Sequence, residues 1–399
     1  MNHSNELLAS AEQHLYPNYA KPAVVIDRGL GARLWDTEGR SYIDFFAGIA
    51  VSVLGHSHPA LVSAITAQAQ KLIHISNYYY NEPNIRLAEK LCALTHMDRA
   101  FFCNSGTEAN EALLKLARRH FFQQGQTERY RVIAFDNSFH GRTLGAMTAT
   151  GQKKYREGFG PLAGVTHVPF GDLAAVHAAM GPDVAGILVE SIQGEGGVIV
   201  APDGFLAHLR AIADEAGCLL LADEIQTGIG RTGRFLGFEH AFVQADALSV
   251  AKALGGGFPI GAMLCKEFLE DALPPGSHGT TYGGGPLASA AALATLDVVE
   301  REELVARAAR LGESLAARLT EIADRHAAIK GQRGQGLLQA LVLSDGVDPG
   351  ALLARLRDAG LLLTVAGGVA LRFTPPLTIS EADLDEGLSI VDRVLGELS

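Results

Sequence analysis

The chain has 399 residues, of which 48% are hydrophobic and 19% charged, the composition of a compact globular protein with a large buried core. That length corresponds to roughly two to three domains. A net charge of −11 repels nucleic acid and anionic membranes, so neither is an expected partner, and any anionic ligand must be held by local arginines or backbone dipoles.

At the start, "MNHSNELLASAEQH" has no basic stretch followed by an apolar core, so no secretory signal is expected. No apolar run approaches the ~18–20 residues that cross a bilayer. The four cysteines, Cys92, Cys103, Cys218 and Cys265, are scattered without a C-x-x-C. They are expected as free thiols in a reducing, cytoplasmic setting. Short strands are expected in "VVIDRGLGARLWDTEGRSYIDF" (24–45). His56 and His58 in "GHSHP" raise the possibility of a metal, but no further ligand cluster accompanies them, and none is expected. "NYYYN" (77–81) reads as packing or a pocket wall.

From residue 100 the pattern changes to short runs that are apolar on both faces. These are "AFFCNS" (100–105), "RVIAFD" (131–136), "AGILVES" (185–191), "CLLLADEI" (218–225), "ALSVAKAL" (247–254) and "GAMLC" (261–265). Such runs suit a mostly parallel sheet covered by helices. Helical patterns occupy 107–124, 170–180 and 203–217. The alternation predicts an α/β domain with ligand groups at the carboxyl ends of its strands.

Several stretches in this region carry chemistry. In "CNSGTEANE", Ser105 and Glu108 have capping-box spacing with Gly106 between them. A helix start of this kind presents free N–H groups to an anion. An ordinary capped helix explains it equally well, and Glu108 and Glu111 oppose an anion unless they point away. In "FDNSFHGRT", Phe139 could stack on a flat ring or simply fill the core. Arg142 could grip a carboxylate or form a surface ion pair. Glu195, in "QGEGGV", is flanked by glycines and free to move.

Asp223 ends a very apolar strand, where a carboxylate needs a cation or donor. Gly228, Gly230 and Gly233 just after it match G-x-G-x-x-G, but "RFLGFEHAFV" follows without a helical stripe. A nicotinamide site needs that pattern to open a helix. Lys252, in "SVAKALGGGFPIGAM", is a lone cation among apolar residues and glycine. Desolvation disfavours its charged form and leaves a nucleophilic amine able to form a Schiff base. Pyridoxal phosphate needs such a lysine, a carboxylate for its ring nitrogen and a phosphate cradle. Lys252, Asp223 and the Ser105–Thr107 helix start supply all three.

The C-terminal part reads as one or two long helices (288–327), short strands near "LLQALVL" and "ALRFTPP", and a last helix from about Ser380 to Leu398. Arg372 sits in one of those strands and needs an anion partner. The expected division is a large domain, 59–290, and a smaller one built from 1–58 and 291–399.

"NSGTEANE", "FHGRT", "QGEGGV", "DEIQTGIGRTG", "AKALGGGFPIGAM", "HGTTYGGGPLA" and "LRFTPPL" occur here in order. In this the chain resembles the class III pyridoxal-phosphate aminotransferases over nearly its whole length. "GIAVSVLGHSHPAL", "HISNYYYNEP" and "SHGTTYGGGPLA" are most similar to members that act on N2-acetylornithine. The resemblance implies an aspartate-aminotransferase-like fold (fold type I), with a large parallel-sheet domain and a smaller α+β domain. It implies amino transfer from N2-acetylornithine to 2-oxoglutarate, giving glutamate, in arginine biosynthesis.

By the same resemblance Lys252 carries the cofactor and moves the proton, and Asp223 pairs with the ring nitrogen. Gln226 contacts the ring hydroxyl, Phe139 and Ile225 cover the ring faces, and Glu224 lies among the cofactor residues. Gly106 and Thr107 hold the phosphate beside Ser105. Thr281 completes the phosphate site of a neighbouring subunit in a homodimer. Arg142 and Thr280 meet the far carboxylate of the acylated substrate, and Arg372 the near carboxylate of glutamate. Glu195 swings to neutralise Arg372 when no carboxylate is there. Gly285, Ser191, Ile225 and Thr280 stand where relatives commonly have Asn, Pro, Val and Ser. Enzymes acting on succinylornithine, and more distantly on ornithine or 4-aminobutyrate, remain alternatives within the family.

Overall fold

The computed structural model describes residues 3–160 and 162–398. The extreme ends of the expected segments 1–58 and 291–399 therefore lie outside the described residues. Seven strands form the central sheet. Their spatial order is Val165–Val168, Arg131–Phe135, Val184–Glu190, Leu219–Asp223, Ala247–Val250, Gly261–Cys265 and Arg99–Cys103. The first five run parallel to one another. Gly261–Cys265 is antiparallel to both of its neighbours.

The sheet's position follows from residues that are apolar on both faces. Along Leu219–Asp223, Leu219 and Leu221 pack on one side with Leu113, Leu116 and Ala117 of the helix Gly106–Gln123. Leu220 and Ala222 face the other way, toward Phe205, Leu209 and Ile212 of the helix Phe205–Ala216. Alternate side chains of one strand thus bury against helices on opposite faces, which is why the run carries no polar stripe.

The structure differs from the sequence expectation in details; Tyr78, Tyr79 and Tyr80 of "NYYYN" are exposed and line no part of the cavity at the carboxyl end of the central sheet. The edge strand Val165–Val168, "VTHV", is too short and mixed to read as one. The run "ALSVAKAL" does not continue as a strand. It ends at Val250, and Lys252–Gly255 is a 3-10 turn. Lys252 has φ +38°, a left-handed conformation that breaks the ladder and turns the chain at the carboxyl end of its strand. Strain of this sort in a non-glycine residue collects at functional sites.

The chain ends meet. Ile26–Leu30, Arg33–Asp36 and Ser41–Asp44 form an antiparallel meander, and Leu361–Leu362 adds to it parallel to Ser41–Asp44. Ile329–Gln335, Leu338–Leu343, Ala370–Phe373 and Thr364–Ala366 form a second antiparallel sheet. The long C-terminal pattern is two helices, Pro286–Arg301 and Leu304–Arg325, divided at Glu303 with φ +49°. The last helix, Glu381–Gly396, starts at Ser380, whose hydroxyl accepts the Asp383 N–H at 3.0 Å. Gly233 is needed for packing, since a Cβ there would lie 2.9 Å from Ala309 Cα on the helix Leu304–Arg325. Among the described residues no helix is long and apolar enough to cross a membrane.

Candidate active site

A cavity of about 380 Å³ opens at the carboxyl end of the central sheet, large enough for a small cofactor. Four strands that share one direction deliver lining groups just past their last residues. Ser105–Thr107 follow Cys103, Phe139–Arg142 follow Phe135, Ile225–Thr227 follow Asp223, and Lys252 follows Val250. Phe258–Ile260 close the side where the antiparallel strand begins.

Lys252 makes no hydrogen bond or ion pair among the described residues. Burial pulls its ammonium below the ordinary lysine range. Arg372 adds to that effect, while Glu195, Asp223 and Glu190 oppose it. The result is an amine with increased access to its neutral, nucleophilic form.

Asp223 faces donors only. Its Oδ2 accepts from Asn110 Nδ2 and from His140 Nδ1, each at 2.7 Å, and its Oδ1 accepts the Ile225 N–H at 3.0 Å. This is the hydrogen-bonding pattern of a carboxylate. Asn110 is held in turn, receiving the Ser249 hydroxyl at 2.7 Å and donating to the His140 carbonyl at 2.8 Å. Because Asp223 accepts, His140 is assigned as the Nδ1–H tautomer. The chain Ser249–Asn110–Asp223–His140 is buried throughout and fixes the carboxylate from behind, leaving Oδ1 with spare capacity toward the cavity.

The anion cradle lies opposite. Ser105 caps the helix Gly106–Gln123, its hydroxyl accepting the Glu108 N–H at 3.4 Å. The first N–H groups of that helix, on Gly106 and Thr107, have no intrahelical acceptor. Gly106 allows close approach, since a Cβ there would lie 2.8 Å from Ile225 Cδ1. The two glutamates do point away. Glu108 turns back onto Asn104, accepting its backbone N–H at 2.7 Å and its side-chain amide at 3.1 Å. Glu111 accepts the N–H groups of Gly145 and Ala146 at 2.9 and 3.2 Å.

A second cluster lies beside the lysine. Arg372 is buried, with Nη1 2.5 Å from Glu195 Oε1, 3.0 Å from Gln226 Oε1 and 3.1 Å from the Gly194 carbonyl. Gln226 Nε2 donates to Glu195 at 3.1 Å. Burial alone would raise the Glu195 carboxyl, but Arg372, Lys252 and Gln226 together hold it below the usual glutamate range. Arg142 lies at the cavity wall, its guanidinium 3.9 Å from the Tyr155 ring centroid and 5.5 Å from that of Phe139. Stacked in this way, it keeps its N–H fork available for a carboxylate.

Five sequence-predicted residues do not line the cavity: Glu195 and Arg372, which reach it through Gln226, and Glu224, Thr280 and Thr281. Glu224 points to the opposite side of the chain from Asp223, where it accepts from Thr227 Oγ1 at 2.5 Å and from the N–H groups of Gly237 and Phe238, each at 2.8 Å. It fastens a loop rather than lining the cofactor space. Thr280 accepts from Asn104 Nδ2 at 3.3 Å, and Thr281 is exposed. Neither lines this chain's cavity. His56 is 2.7 Å from Asp44 Oδ2 in the N-terminal part. Conversely, Asn110, His140 and Glu190 belong to the site and were not singled out from the sequence. Glu190, at the end of an apolar strand, carries the same signal that marked Asp223.

These residues fit pyridoxal phosphate. The desolvated amine suits an aldehyde, the cavity-facing oxygen of Asp223 suits a protonated ring nitrogen, and the two free N–H groups suit a phosphate. Phe139 and Ile225 supply apolar walls for a flat ring.

Comparison with known proteins agrees. The family described as aminotransferase class-III matches residues 15–395. The acetylornithine aminotransferase of Myxococcus xanthus is 51% identical over 385 residues, covering 96% of each chain. A Pseudomonas aeruginosa protein described as succinylornithine transaminase/acetylornithine aminotransferase is 45% identical, covering 99% of this chain and 98% of its own. The solved ornithine aminotransferase of Toxoplasma gondii, which holds pyridoxal phosphate at partial occupancy in its active site, superposes with a TM-score of 0.95 at 34% identity. That match covers 99% of this chain and 95% of the other.

Proposed function

The chain belongs to the class III aminotransferases, pyridoxal-phosphate enzymes, and from that premise we propose that it moves the δ-amino group of N2-acetylornithine to 2-oxoglutarate. The products are N-acetylglutamate 5-semialdehyde and glutamate. The observation that carries this reading is the convergence of Lys252, Asp223 and the free helix start on one cavity, with Arg142 on its wall and Arg372 bonded to Gln226 of its lining.

Pyridoxal phosphate, when bound, supplies a reactive carbonyl and an electron-withdrawing ring. The chain's own groups do the rest. Lys252 would be the amine that holds the cofactor's carbonyl, and its Nζ would serve as the group that takes up and returns a proton during amino transfer. Asp223, held by Asn110 and His140, keeps the ring nitrogen protonated. Gly106 and Thr107 hold the phosphate beside Ser105, Phe139 and Ile225 enclose the ring, and Gln226 meets its hydroxyl.

The substrates differ in where a carboxylate lies. Glutamate reacts at its α-amine, with a carboxylate next to the reacting carbon, and Arg372 takes it once Glu195 moves aside. N2-acetylornithine reacts at its δ-amine, so its carboxylate is distant and goes to Arg142, with Thr280 nearby. Glu195 then stays on Arg372 and spares the site an unpaired buried guanidinium. The exposed Thr281 is read as reaching the phosphate site of a second copy in a cytoplasmic homodimer. The same reading treats 59–290 as the cofactor-holding part and 1–58 with 291–399 as the smaller part. The pairing of Leu361–Leu362 with Ser41–Asp44 supports that division.

The test is a panel of half-reactions. The aldehyde form is mixed in turn with N2-acetylornithine, N2-succinylornithine, ornithine, 4-aminobutyrate and glutamate, and the loss of the cofactor's absorption is timed. N2-acetylornithine and glutamate are expected to react fastest. Faster reaction with ornithine or 4-aminobutyrate overturns the substrate assignment, and a lead for the succinyl compound moves it to that acyl group.

A further inference from the structure

Glu190 ends the strand Val184–Glu190 and is the register partner of Asp223 on the neighbouring parallel strand. Both carboxyl groups line the cavity and both are buried. Their partners differ sharply. Asp223 accepts from Asn110, His140 and the Ile225 N–H. Glu190 accepts one backbone N–H, that of Phe139, at 3.2 Å, and has no ion-pair partner among the described residues.

Two buried carboxyl groups side by side do not both ionise without a large cost, and the charge goes to the one with more donors. That one is Asp223. Burial, reinforced by the charge of Asp223, moves the Glu190 carboxyl well above the usual glutamate range. The Phe139 N–H and Lys252 oppose this, and Glu195 adds to it. The charged and titratable groups around Glu190 are therefore Asp223 with His140 behind it, Lys252, and Glu195 in its pair with Arg372.

We infer that Glu190 is a positioning residue that works as a neutral acid, holding Phe139 through its backbone N–H and leaving Asp223 as the one anionic carboxylate beneath the ring. A second negative charge at that place would compete with Asp223 for the ring nitrogen's proton and would stabilise Lys252 as an ammonium. A neutral acid avoids both, and its acid hydrogen serves as a donor facing the cavity. The inference rests on the roles given above to Asp223 and Phe139.

Glutamine has the shape and hydrogen-bonding pattern of a protonated glutamate, and leucine has neither donor nor acceptor. The wild-type holoenzyme, E190Q and E190L are compared by infrared spectroscopy at neutral pH, by the visible absorption of the bound cofactor, and by kcat/KM in the glutamate half-reaction. A protonated-carboxyl C=O stretch is expected in the wild type and missing in E190Q. E190L is expected to lose about tenfold or more in kcat/KM, the effect of a buried N–H left without a partner, and to shift the cofactor's absorption. E190Q should recover most of both losses.

An acid band missing from the wild-type minus E190Q difference spectrum, or E190Q as impaired as E190L, overturns the inference, because the carboxylate charge would then be required. E190L indistinguishable from wild type also overturns it, because Glu190 would then be only a wall. If E190L does not fold, the infrared comparison of wild type with E190Q decides. An unaltered cofactor spectrum in D223N would instead strike at the role of Asp223. That result is separable, since the infrared band is read from Glu190 itself.

Discussion

Arg372 and Glu195 are paired at 2.5 Å inside the protein, with Gln226 bonded to both. Under the proposed function the pair opens for glutamate and stays closed for N2-acetylornithine. Glu195→Ala is therefore expected to act unevenly. With glutamate, the substrate carboxylate replaces the missing partner and the loss is small. With N2-acetylornithine, nothing replaces it, and the buried guanidinium remains unpaired. A loss of about tenfold or more in kcat/KM is expected there, read by single-turnover kinetics of the two half-reactions. Equal losses in both halves would remove the switching role.

Lys252→Ala is expected to abolish amino transfer while the phosphate cradle still binds the cofactor non-covalently. The check is borohydride reduction followed by mass spectrometry. Wild-type protein should gain the mass of one reduced cofactor on the peptide containing Lys252, and the variant none. An adduct on any other lysine would mean that the desolvated amine is not the attachment point.

Asp223→Asn keeps the shape but removes the charge opposite the ring nitrogen. A fall in kcat of about a hundredfold or more is expected, as when a preorganised electrostatic partner is lost. Binding of cofactor should weaken less, because Gly106, Thr107 and the ring walls are untouched. His140→Phe leaves the charge but removes one of the donors that fix it, so a smaller fall is expected. If the two variants were equally damaged, the charge would not be the deciding feature.

Parts of this site were legible in the sequence because burial is. A lysine among glycines and apolar residues, and an aspartate ending "LLLAD", mark themselves by the cost of placing them there. Glu190 ends "AGILVE" in the same manner. The resemblance puts Glu224 among the cofactor residues, next to Asp223. Successive residues of an extended chain face opposite ways, and its carboxylate meets Gly237 and Phe238 instead. His140 and Asn110 could not be found from spacing. They lie 83 and 113 positions from Asp223, and only the folded sheet brings them to it. The direction of Gly261–Cys265 was equally closed to inspection, since an apolar run reads alike in both directions.

Glu224 allows a test of stability that does not depend on catalysis. Burial raises its carboxyl to about 7, with Thr227 and the N–H groups of Gly237 and Phe238 opposing that rise and Asp223 adding to it. An unfolded glutamate titrates near ~4.3. Between those values the folded chain binds more protons than the unfolded chain, so this residue's contribution to stability falls as pH rises and levels off above about 7. Glu224→Gln has no such dependence. The stability of wild type relative to E224Q should therefore drop by about 2 kcal/mol between pH 5 and pH 8, at about 1.4 kcal/mol per pH unit over the titrating range. Urea unfolding of both proteins at the two pH values, at equal cofactor saturation, measures the difference. A gap that stays constant or moves toward wild type at high pH would show that the three donors, not burial, govern this carboxyl.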